Sequence, residues 1–200
     1  MRIGILGTGN MADALGTQWR RAGHDVVTGG RRDGGLRAAA DHGTDAVLLA
    51  LPYDAAVDVV AGLGAALRGR TLIDCTNPVG PGFTLRTAGG PSAAQRIAAA
   101  APGAHVVKAF NLCHVDVWRL TPPVFDGRPL AVPLCGDDET ALFAVRRLVR
   151  DLGCLPLDAG GLDRAGLVEA TAALLIGLWV GQEADAQAIA PPLEYAGPRG

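Results

Sequence analysis

The stretch RIGILGTGNMADALGTQWRR at residues 2–21 decides the fold. Residues 2–6 are mostly apolar, as in a buried strand, and they lead directly into the glycine turn GTGNMA at 7–12 and a helical pattern that reaches about Arg21. In such a turn the first glycine reverses the chain, the second lets the backbone approach a pyrophosphate, and a small third residue lets helix and strand pack closely. An anion would lie at the N-terminus of the helix, where unpaired N–H groups and the positive end of the helix dipole point. The order strand, glycine turn, helix therefore predicts a dinucleotide-binding unit.

The end of the second predicted strand, residues 25–28, indicates which dinucleotide is bound. An NAD-binding protein places an acidic residue there for the ribose hydroxyls, but this chain has Gly29-Gly30-Arg31-Arg32. A guanidinium offers a planar fork of donors that suits the 2′-phosphate of NADP, and no carboxylate is present to repel that phosphate. The alternative is a solvated basic turn. At this distance from Gly9 the arginine pair favours NADP over NAD.

Composition limits the class of protein. The chain has 200 residues, 49% of them hydrophobic, with a net charge of −2 and a pI near 6.0. These values predict a compact protein with an ample core and a small-molecule partner, and they argue against nucleic-acid binding through a broad basic surface. Met1 runs directly into a core strand, which leaves no room for a signal peptide, and the strongly apolar stretch 170–180 is shorter than a membrane span. We therefore expect a cytoplasmic protein with no membrane partner.

The cysteines predict no metal site. They form no CxxC pair and have no ligand-like spacing with the four histidines. Most lie in apolar, strand-like stretches, so buried free thiols are the expected state. The four residues are Cys75, Cys113, Cys135 and Cys154.

The rest of the chain alternates strands and helices as a doubly wound, mostly parallel sheet requires. Further strands are predicted at 45–52, 70–76 and 104–110, with helices between them. In open α/β sheets the carboxyl ends of the strands line the binding crevice. Asn111 could hydrogen-bond the nicotinamide carboxamide or the incoming substrate there, or it could equally be a turn residue. The other residues expected in the crevice are Leu51, Pro52, Thr76, Asn77 and Pro78.

The sequence predicts a Rossmann-type domain with a small C-terminal α/β extension. Turn-forming residues place a boundary near 125, which gives a nucleotide-binding domain at 1–125, a smaller unit at 126–195 that contributes to the acceptor site, and a flexible tail at 196–200. The helix predicted at 163–180 is so apolar that a subunit interface of a homodimer is expected along it. The residues expected near that interface are Leu174, Leu175, Leu178 and Trp179.

Several motifs together resemble the NADPH-dependent oxidoreductases of coenzyme F420, an 8-hydroxy-5-deazaflavin. The similarity covers about residues 1–180, and its late segments are more specific than the glycine turn because generic Rossmann proteins lack them. The N-terminal half is also similar to the cytosolic domains of ferric reductases and to the first domain of pyrroline-5-carboxylate reductases. The motifs are GTGNMA at 7–12, Gly-Arg-Arg at 30–32, Leu51-Pro52, VVKAFN at 106–111, PLCGDD at 133–138 and LDAGGL at 157–162.

The resemblance implies direct hydride transfer between NADPH and a flat deazaflavin, with no covalent catalysis by a side chain. It implies that the residues of the glycine turn hold the pyrophosphate, that the arginine pair holds the 2′-phosphate, and that the end of the third strand contacts the adenosine or ribose side. The predicted cofactor-binding residues are Gly7, Thr8, Gly9, Asn10, Met11, Gly30, Arg31, Arg32, Leu51, Pro52, Asn77, Pro78 and Asn111.

Two other classes of function stay open. A reductase of a small imine or carbonyl compound would need a general acid, for which the candidates are His114, Tyr53 and Asp116. A module that senses NADP without turnover would need only the nucleotide site. Asn111 and His114 are the candidate catalytic residues. The identity of the hydride acceptor, whether deazaflavin, flavin, ferric complex or imine, also stays open.

Overall fold

A seven-stranded sheet in the order β2-β1-β3-β4-β5-β8-β9 forms the centre of the protein. The computed structural model describes residues 1–32, 34–87, 89–190 and 192, so the predicted flexible tail at 196–200 lies outside the described residues. All neighbouring strands pair in parallel except β5 and β8. The strands of this sheet are β1 (Arg2–Leu6), β2 (Asp25–Gly29), β3 (Ala46–Leu49), β4 (Thr71–Asp74), β5 (His105–Lys108), β8 (Ala131–Gly136) and β9 (Leu155–Asp158), and a separate hairpin joins β6 (Val124–Phe125) to β7 (Arg128–Pro129).

Among the described residues, six α-helices cover both faces of the sheet. One core cluster packs Trp19 and Leu148 against Ile5, and a second, on the other face, packs Val60 and Ile97 against Leu49. The central strands β3 and β4 are therefore buried between two layers of helix, which is why they read as continuous apolar runs, whereas β9 at the edge is largely exposed. The predicted doubly wound α/β class is confirmed. The helices are α1 (Asn10–Arg21), α2 (Gly35–His42), α3 (Tyr53–Leu63), α4 (Ala93–Ala100), α5 (Glu139–Arg150) and α6 (Ala165–Ile176).

Two glycines allow the short second βα unit to pack on the sheet. A Cβ atom added at Gly4 would collide with the carbonyl oxygen of Ala39, and one added at Gly29 would collide with the carbonyl oxygen of Gly35. Both carbonyls belong to α2, which has only eight residues. The helix therefore lies directly against the backbone of β1 and β2, and it holds the end of β2 close to the β1–α1 turn.

Residues 131–158 extend the sheet of the nucleotide-binding part. β8 pairs with β5 through Val107 and Lys108 only, and it pairs with β9 over Ala131 to Leu134. Pro133 lies in β8, where its missing N–H is tolerated because the pairing with β5 is confined to the far end of the strand. The division into units at residue 125 stays a prediction.

The last helical segment agrees with the helix predicted at 163–180 to within one residue at each end. The segment Leu162–Gly181 combines a 3₁₀ turn, α6 and a π-helical turn at Gly177–Gly181. By length and composition this 20-residue helical segment, among the described residues, could cross a membrane, so the apolar segment is not limited to the short stretch at 170–180. Its Glu169 side chain is fully buried against other parts of the protein, so its first half packs on the domain. The cytoplasmic location stays a prediction.

A fully buried cluster of charges joins this helix to the sheet. Lys108 Nζ lies 2.9 Å from Asp74 Oδ2 and 3.2 Å from Glu169 Oε1, and it also donates to the carbonyl oxygen of Thr76. Burial by itself would lower the pKa of Lys108, but the two carboxylates outweigh burial and raise that pKa above its usual value. The lysine is therefore held in its charged form.

Glu169 also accepts hydrogen bonds from the start of α4. Its two carboxylate oxygens take the N–H groups of Ala93, at 2.9 Å, and Ala94, at 3.1 Å. These donors belong to the first turn of the helix, where the positive end of the helix dipole favours a negative charge. Since Ser92 caps the same helix with a reciprocal capping box to Gln95, the N-terminus of α4 is bound from two sides.

Replacing Glu169 with Gln should strongly destabilise the protein. The substitution keeps the size of the side chain but removes one of the two carboxylates that compensate buried Lys108, so we expect the free energy of unfolding to fall by roughly 3 kcal/mol. Urea denaturation measures the change. The matched control is Glu139→Gln, whose carboxylate is exposed and pairs with Arg146 at 3.2 Å, and which should cost less than about 1 kcal/mol. Equal stability of the two variants would contradict a structural role for the buried cluster.

Candidate functional site

The turn between β1 and α1 forms the centre of a crevice at the carboxyl ends of the strands. Gly7 has a φ of +126°, and a Cβ added there would collide with the carbonyl oxygen of Ala50, so only glycine fits. Gly9 caps α1 with an extended backbone, and no atom lies within 4 Å of a Cβ built at this position. The surface above Gly9 and the first turn of α1 is therefore open, as the approach of an anion requires.

The arginine turn lies beside the glycine turn. Gly30 contacts Thr8, because a Cβ added at Gly30 would lie 3.2 Å from the Thr8 Cγ2 atom. Hydrogen bonds from the start of α2 to the carbonyls of Gly30 and Arg32, both 3.0 Å, fix the shape of the turn. Arg31 and Arg32 are both exposed. The structure thus brings the two predicted phosphate-binding segments to the same edge of the sheet.

A cavity of about 320 Å³ continues the crevice from the glycine turn toward β3 and β4. Gly9, Asn10 and Met11 line one part of it, and Leu51 and Pro52 line another. Thr76 and Asn77 at the end of β4 complete the lining together with Ala50, Tyr53 and Cys75. Pro78 was predicted to face the crevice, but it is buried, lines neither this cavity nor the larger one beside it, and accepts a backbone hydrogen bond from Arg86.

A larger cavity of about 590 Å³ adjoins the first and shares four lining residues with it. The strand ends and the turn after β5 contribute polar groups from Asn77, Asn111 and His114. The last helical segment contributes Ile176 and Trp179. The remaining lining residues are Asn10, Met11, Cys75, Phe110, Leu112, Cys113, Val115 and Val180. Sequence reasoning had placed Trp179 at a subunit interface and had not placed Ile176 or Val180 in any site.

Two asparagines at the ends of β4 and β5 bind each other across the floor of this cavity. Asn77 donates to the carbonyl oxygen of Asn111 at 2.6 Å, and Asn111 donates to Asn77 Oδ1 at 2.9 Å and to the carbonyl of Val168 at 3.4 Å. Two buried oxygens nearby, Asn111 Oδ1 and Thr76 Oγ1, have no hydrogen-bond partner among the described residues. An unsatisfied buried polar group costs about 1–3 kcal/mol, so these atoms are suited to receive hydrogen bonds from a bound ligand.

Phe110 places Asn111 at the cavity floor. Its φ of +60° is unusual for a non-glycine residue, and such a conformation costs of the order of 1–3 kcal/mol. The ring packs edge-on between Trp19 and Trp118, with centroid distances of 5.8 and 5.4 Å. This aromatic packing holds the strained residue and turns the chain sharply at the end of β5, which the sequence prediction of a strand to residue 110 did not foresee.

The titratable groups around the cavities supply no buried acid or base. The side chain of His114 is 74% exposed and lies 3.3 Å from Asp116. The Tyr53 hydroxyl accepts from the Arg96 guanidinium at 3.2 Å. Burial raises the pKa of the Cys75 thiol to about 12 and that of Cys113 to about 11, so neither thiol is an activated nucleophile. Across the described residues no group of three His, Cys, Asp or Glu side chains could hold a metal ion.

Comparisons with known proteins agree with this geometry. Residues 2–78 match the family model for coenzyme F420-dependent NADP oxidoreductases. The chain is 31% identical over 189 residues to the metalloreductase STEAP3 of Rattus norvegicus, covering 89% of this chain and 38% of that protein. It is also 31% identical over 142 residues to the F420-dependent NADP reductase of Methanocaldococcus jannaschii, covering 67% and 61%. The chain thus spans less than two thirds of the length of either relative.

Solved structures share the fold. A candidate F420-dependent NADP reductase from Arthrobacter superposes with a TM-score of 0.80 at 23% identity, covering 92% of this chain and 96% of that one. The pyrroline carboxylate reductase of Plasmodium falciparum superposes with a TM-score of 0.55 at 14% identity, covering 92% and 69%. The resemblance to deazaflavin-dependent oxidoreductases, ferric reductases and pyrroline-5-carboxylate reductases that the motifs indicated is confirmed.

Substitutions at the two glycines of the turn should affect different properties: nucleotide affinity at Gly9 and stability of the fold at Gly7. Gly9→Val places its side chain in open space, so we expect a normal unfolding transition but a loss of NADPH affinity of at least tenfold, because the side chain would occupy the path of the pyrophosphate. Gly7→Ala instead forces a Cβ into the Ala50 carbonyl and should destabilise the fold. Calorimetric titration with NADPH and thermal denaturation separate the two effects. Wild-type NADPH affinity in Gly9→Val would show that no pyrophosphate lies over Gly9.

Proposed function

We propose that this chain binds NADP(H) and transfers a hydride between it and a planar redox cofactor such as coenzyme F420. The observation that carries the proposal is that two cavities at the strand ends share four lining residues. The smaller cavity includes the glycine turn, beside which the arginine turn lies, and the larger one has polar groups from the strand ends and apolar walls. A nicotinamide lying over the shared residues Asn10, Met11 and Asn77 would reach both cavities.

The residues of the crevice fit NADP(H) at three places. The open surface at Gly9 leaves room for the pyrophosphate at the start of α1, and Arg31 and Arg32 suit the 2′-phosphate. Leu51 and Pro52 line the adenosine or ribose side. At the far end, the unpartnered oxygen of Asn111 is an acceptor for the amide donors of a nicotinamide carboxamide. When bound, NADPH supplies the hydride, and the chain has only to bind, orient and shield the reacting rings.

The side chains in the larger cavity favour a planar acceptor over an imine or carbonyl substrate. Reduction of an imine or a carbonyl requires a positioned proton donor. His114 is the nearest candidate, but it is largely exposed and faces Asp116, while Tyr53 lines the other cavity and Asp116 is itself exposed. An acceptor whose proton can come from solvent needs no such group.

The direct test is oxidation of NADPH, followed at 340 nm with a panel of acceptors: 8-hydroxy-5-deazaflavin, riboflavin, ferric citrate and a cyclic imine. Turnover with the deazaflavin or riboflavin supports the proposal. Turnover confined to the imine would make the chain an imine reductase. Tight NADPH binding with no turnover on any acceptor would make it a nucleotide-sensing module.

The arginine pair should select NADPH over NADH. Charge-assisted hydrogen bonds from Arg31 and Arg32 to the 2′-phosphate, at about 1.5–3 kcal/mol each, predict a preference of at least tenfold, and the double variant Arg31→Ala, Arg32→Ala should lose it. Titration with both nucleotides measures the ratio. Arg37→Ala is the matched control, because Arg37 lies on α2 and pairs with Asp41. An unchanged NADPH affinity in the double variant would refute the assignment.

His114 and Cys113 should be dispensable for hydride transfer. Both line the larger cavity, but neither is placed to exchange a proton or form a covalent bond, so we expect His114→Ala and Cys113→Ala to keep most of the single-turnover rate. Stopped-flow oxidation of NADPH by the deazaflavin measures that rate. A loss of about a thousandfold in His114→Ala with unchanged NADPH affinity would identify a general acid and favour the imine or carbonyl reductase.

We further propose a homodimer that uses the exposed side of the last helix. Leu174 and Val180 are 55% and 67% exposed, and Leu175 and Leu178 are half-buried beside them. Such a row of apolar side chains is larger than soluble monomers usually expose. Sedimentation at micromolar concentration should give a dimer, and Leu174→Glu should give a monomer. A soluble wild-type monomer would contradict this proposal.

A further inference from the structure

The last turn of the helical segment forms one wall of the larger cavity, and this wall includes a tryptophan, Trp179. Ile176, Trp179 and Val180 line the cavity, and Trp179 is 38% exposed. The other two tryptophans, Trp19 and Trp118, are buried against Phe110. Trp179 is therefore the tryptophan whose ring is accessible to a ligand in the cavity beside the nucleotide crevice.

The turn that carries Trp179 is held by a close contact with the loop after β4. The π-helical turn begins at Gly177 and ends at Gly181, and both glycines lie against Phe83. A Cβ added at Gly181 would come within 2.7 Å of the Phe83 ring, and one added at Gly177 would lie 3.3 Å from its Cβ. Phe83 itself has a φ of +59°. π-Helical turns occur frequently at functional sites, and here the two glycines let the turn approach the loop so closely that the position of Trp179 is fixed.

The chemistry of the cavity selects the kind of occupant. Its volume of about 590 Å³ lies within the range of pockets for compact organic ligands, about 300–1,000 Å³. The half-buried amide group of Asn77 can meet the polar edge of a heterocycle, while the indole of Trp179 offers a flat face. Since the described residues hold no cluster of metal ligands, the cavity suits a planar organic molecule better than a metal ion.

We infer that Trp179 is the stacking platform that binds a planar heteroaromatic acceptor, and so determines the acceptor specificity of the site. This inference rests on the proposed function and names the residue that would hold the second substrate against the nucleotide. Stacking of a heterocycle on an aromatic side chain is tolerant of the exact ring, so the same residue serves a flavin and a deazaflavin. An acceptor without a flat face gains nothing from it.

The test is a binding titration in the presence of saturating NADP⁺, which cannot donate a hydride. Riboflavin and 8-hydroxy-5-deazaflavin are the probes, and quenching of their own fluorescence reports stacking. We expect Trp179→Leu to raise the Kd of both probes about tenfold or more and to abolish the quenching, because it keeps an apolar side chain but removes the flat face. Trp179→Phe should keep most of the affinity. The Kd of NADP⁺ should change less than twofold in both variants.

A control variant and the NADP⁺ titration separate this inference from the proposed function. Phe143→Leu removes an exposed aromatic ring from α5, outside the cavity, and should leave probe binding unchanged. The inference is wrong if Trp179→Leu binds the probes as tightly as the wild-type protein does, or if the wild-type protein binds neither probe. In either case, intact NADP⁺ binding would show that the nucleotide site is still supported. If Trp179→Leu changes only the dimer equilibrium in sedimentation, a second copy covers the indole and the inference is wrong. Failure of the wild-type protein to bind NADP⁺ would overturn the proposed function itself.

Discussion

The buried ion cluster of Lys108, Asp74 and Glu169 is the interaction on which the architecture of the site depends. Charges taken out of water are costly, and they are tolerated here because every group has partners: the ammonium meets two carboxylates and the Thr76 carbonyl, and one carboxylate meets the N-terminus of α4. The participants come from β4, β5, α4 and α6. A single cluster thus attaches α6 to the sheet at the carboxyl ends of β4 and β5.

The floor and one wall of the larger cavity follow from that arrangement. Thr76 is held from below by Lys108, and the adjacent Asn77 binds Asn111. Asn111 in turn donates to the carbonyl of Val168, next to Glu169 on α6. The same helix continues into the turn that carries Trp179. Movement of α6 would therefore disturb both the amide groups of the floor and the aromatic wall. The ion cluster prevents such movement because it attaches α6 to the sheet.

Several features of the same site lower the local stability of the protein. Phe110 adopts a strained conformation, and two buried oxygens, Asn111 Oδ1 and Thr76 Oγ1, have no partner among the described residues. Each of these features costs free energy in the absence of a ligand. They lie together at the ends of β4 and β5, and a third unpartnered buried atom among the described residues, Trp118 Nε1, belongs to the ring that packs on Phe110. This concentration of unsatisfied groups is expected of a binding surface rather than of a structural core.

Local chemistry allowed the sequence by itself to determine the fold class and the nucleotide crevice. The β1–α1 turn is readable because Gly7 and Gly9 meet steric requirements set within a few residues, and the rule that strand ends line the crevice places Asn77 and Asn111. The position of Gly30 next to Thr8 follows from the parallel pairing of β1 and β2, and the arginine pair comes directly after it in the chain.

Only the tertiary structure decided what the last helix does. Its sequence shows almost no polar face. The role of Glu169 depends on contacts with Lys108 and with the start of α4, which are distant in the chain. Trp179 lines the larger cavity, which the sequence could not show because hydrophobicity alone does not distinguish a cavity wall from a subunit contact; its place at a subunit interface stays a prediction. Likewise, the exposure of His114 depends on the turn after Phe110. These features arise from contacts between distant segments, and periodicity and local motifs carry no information about which segments meet.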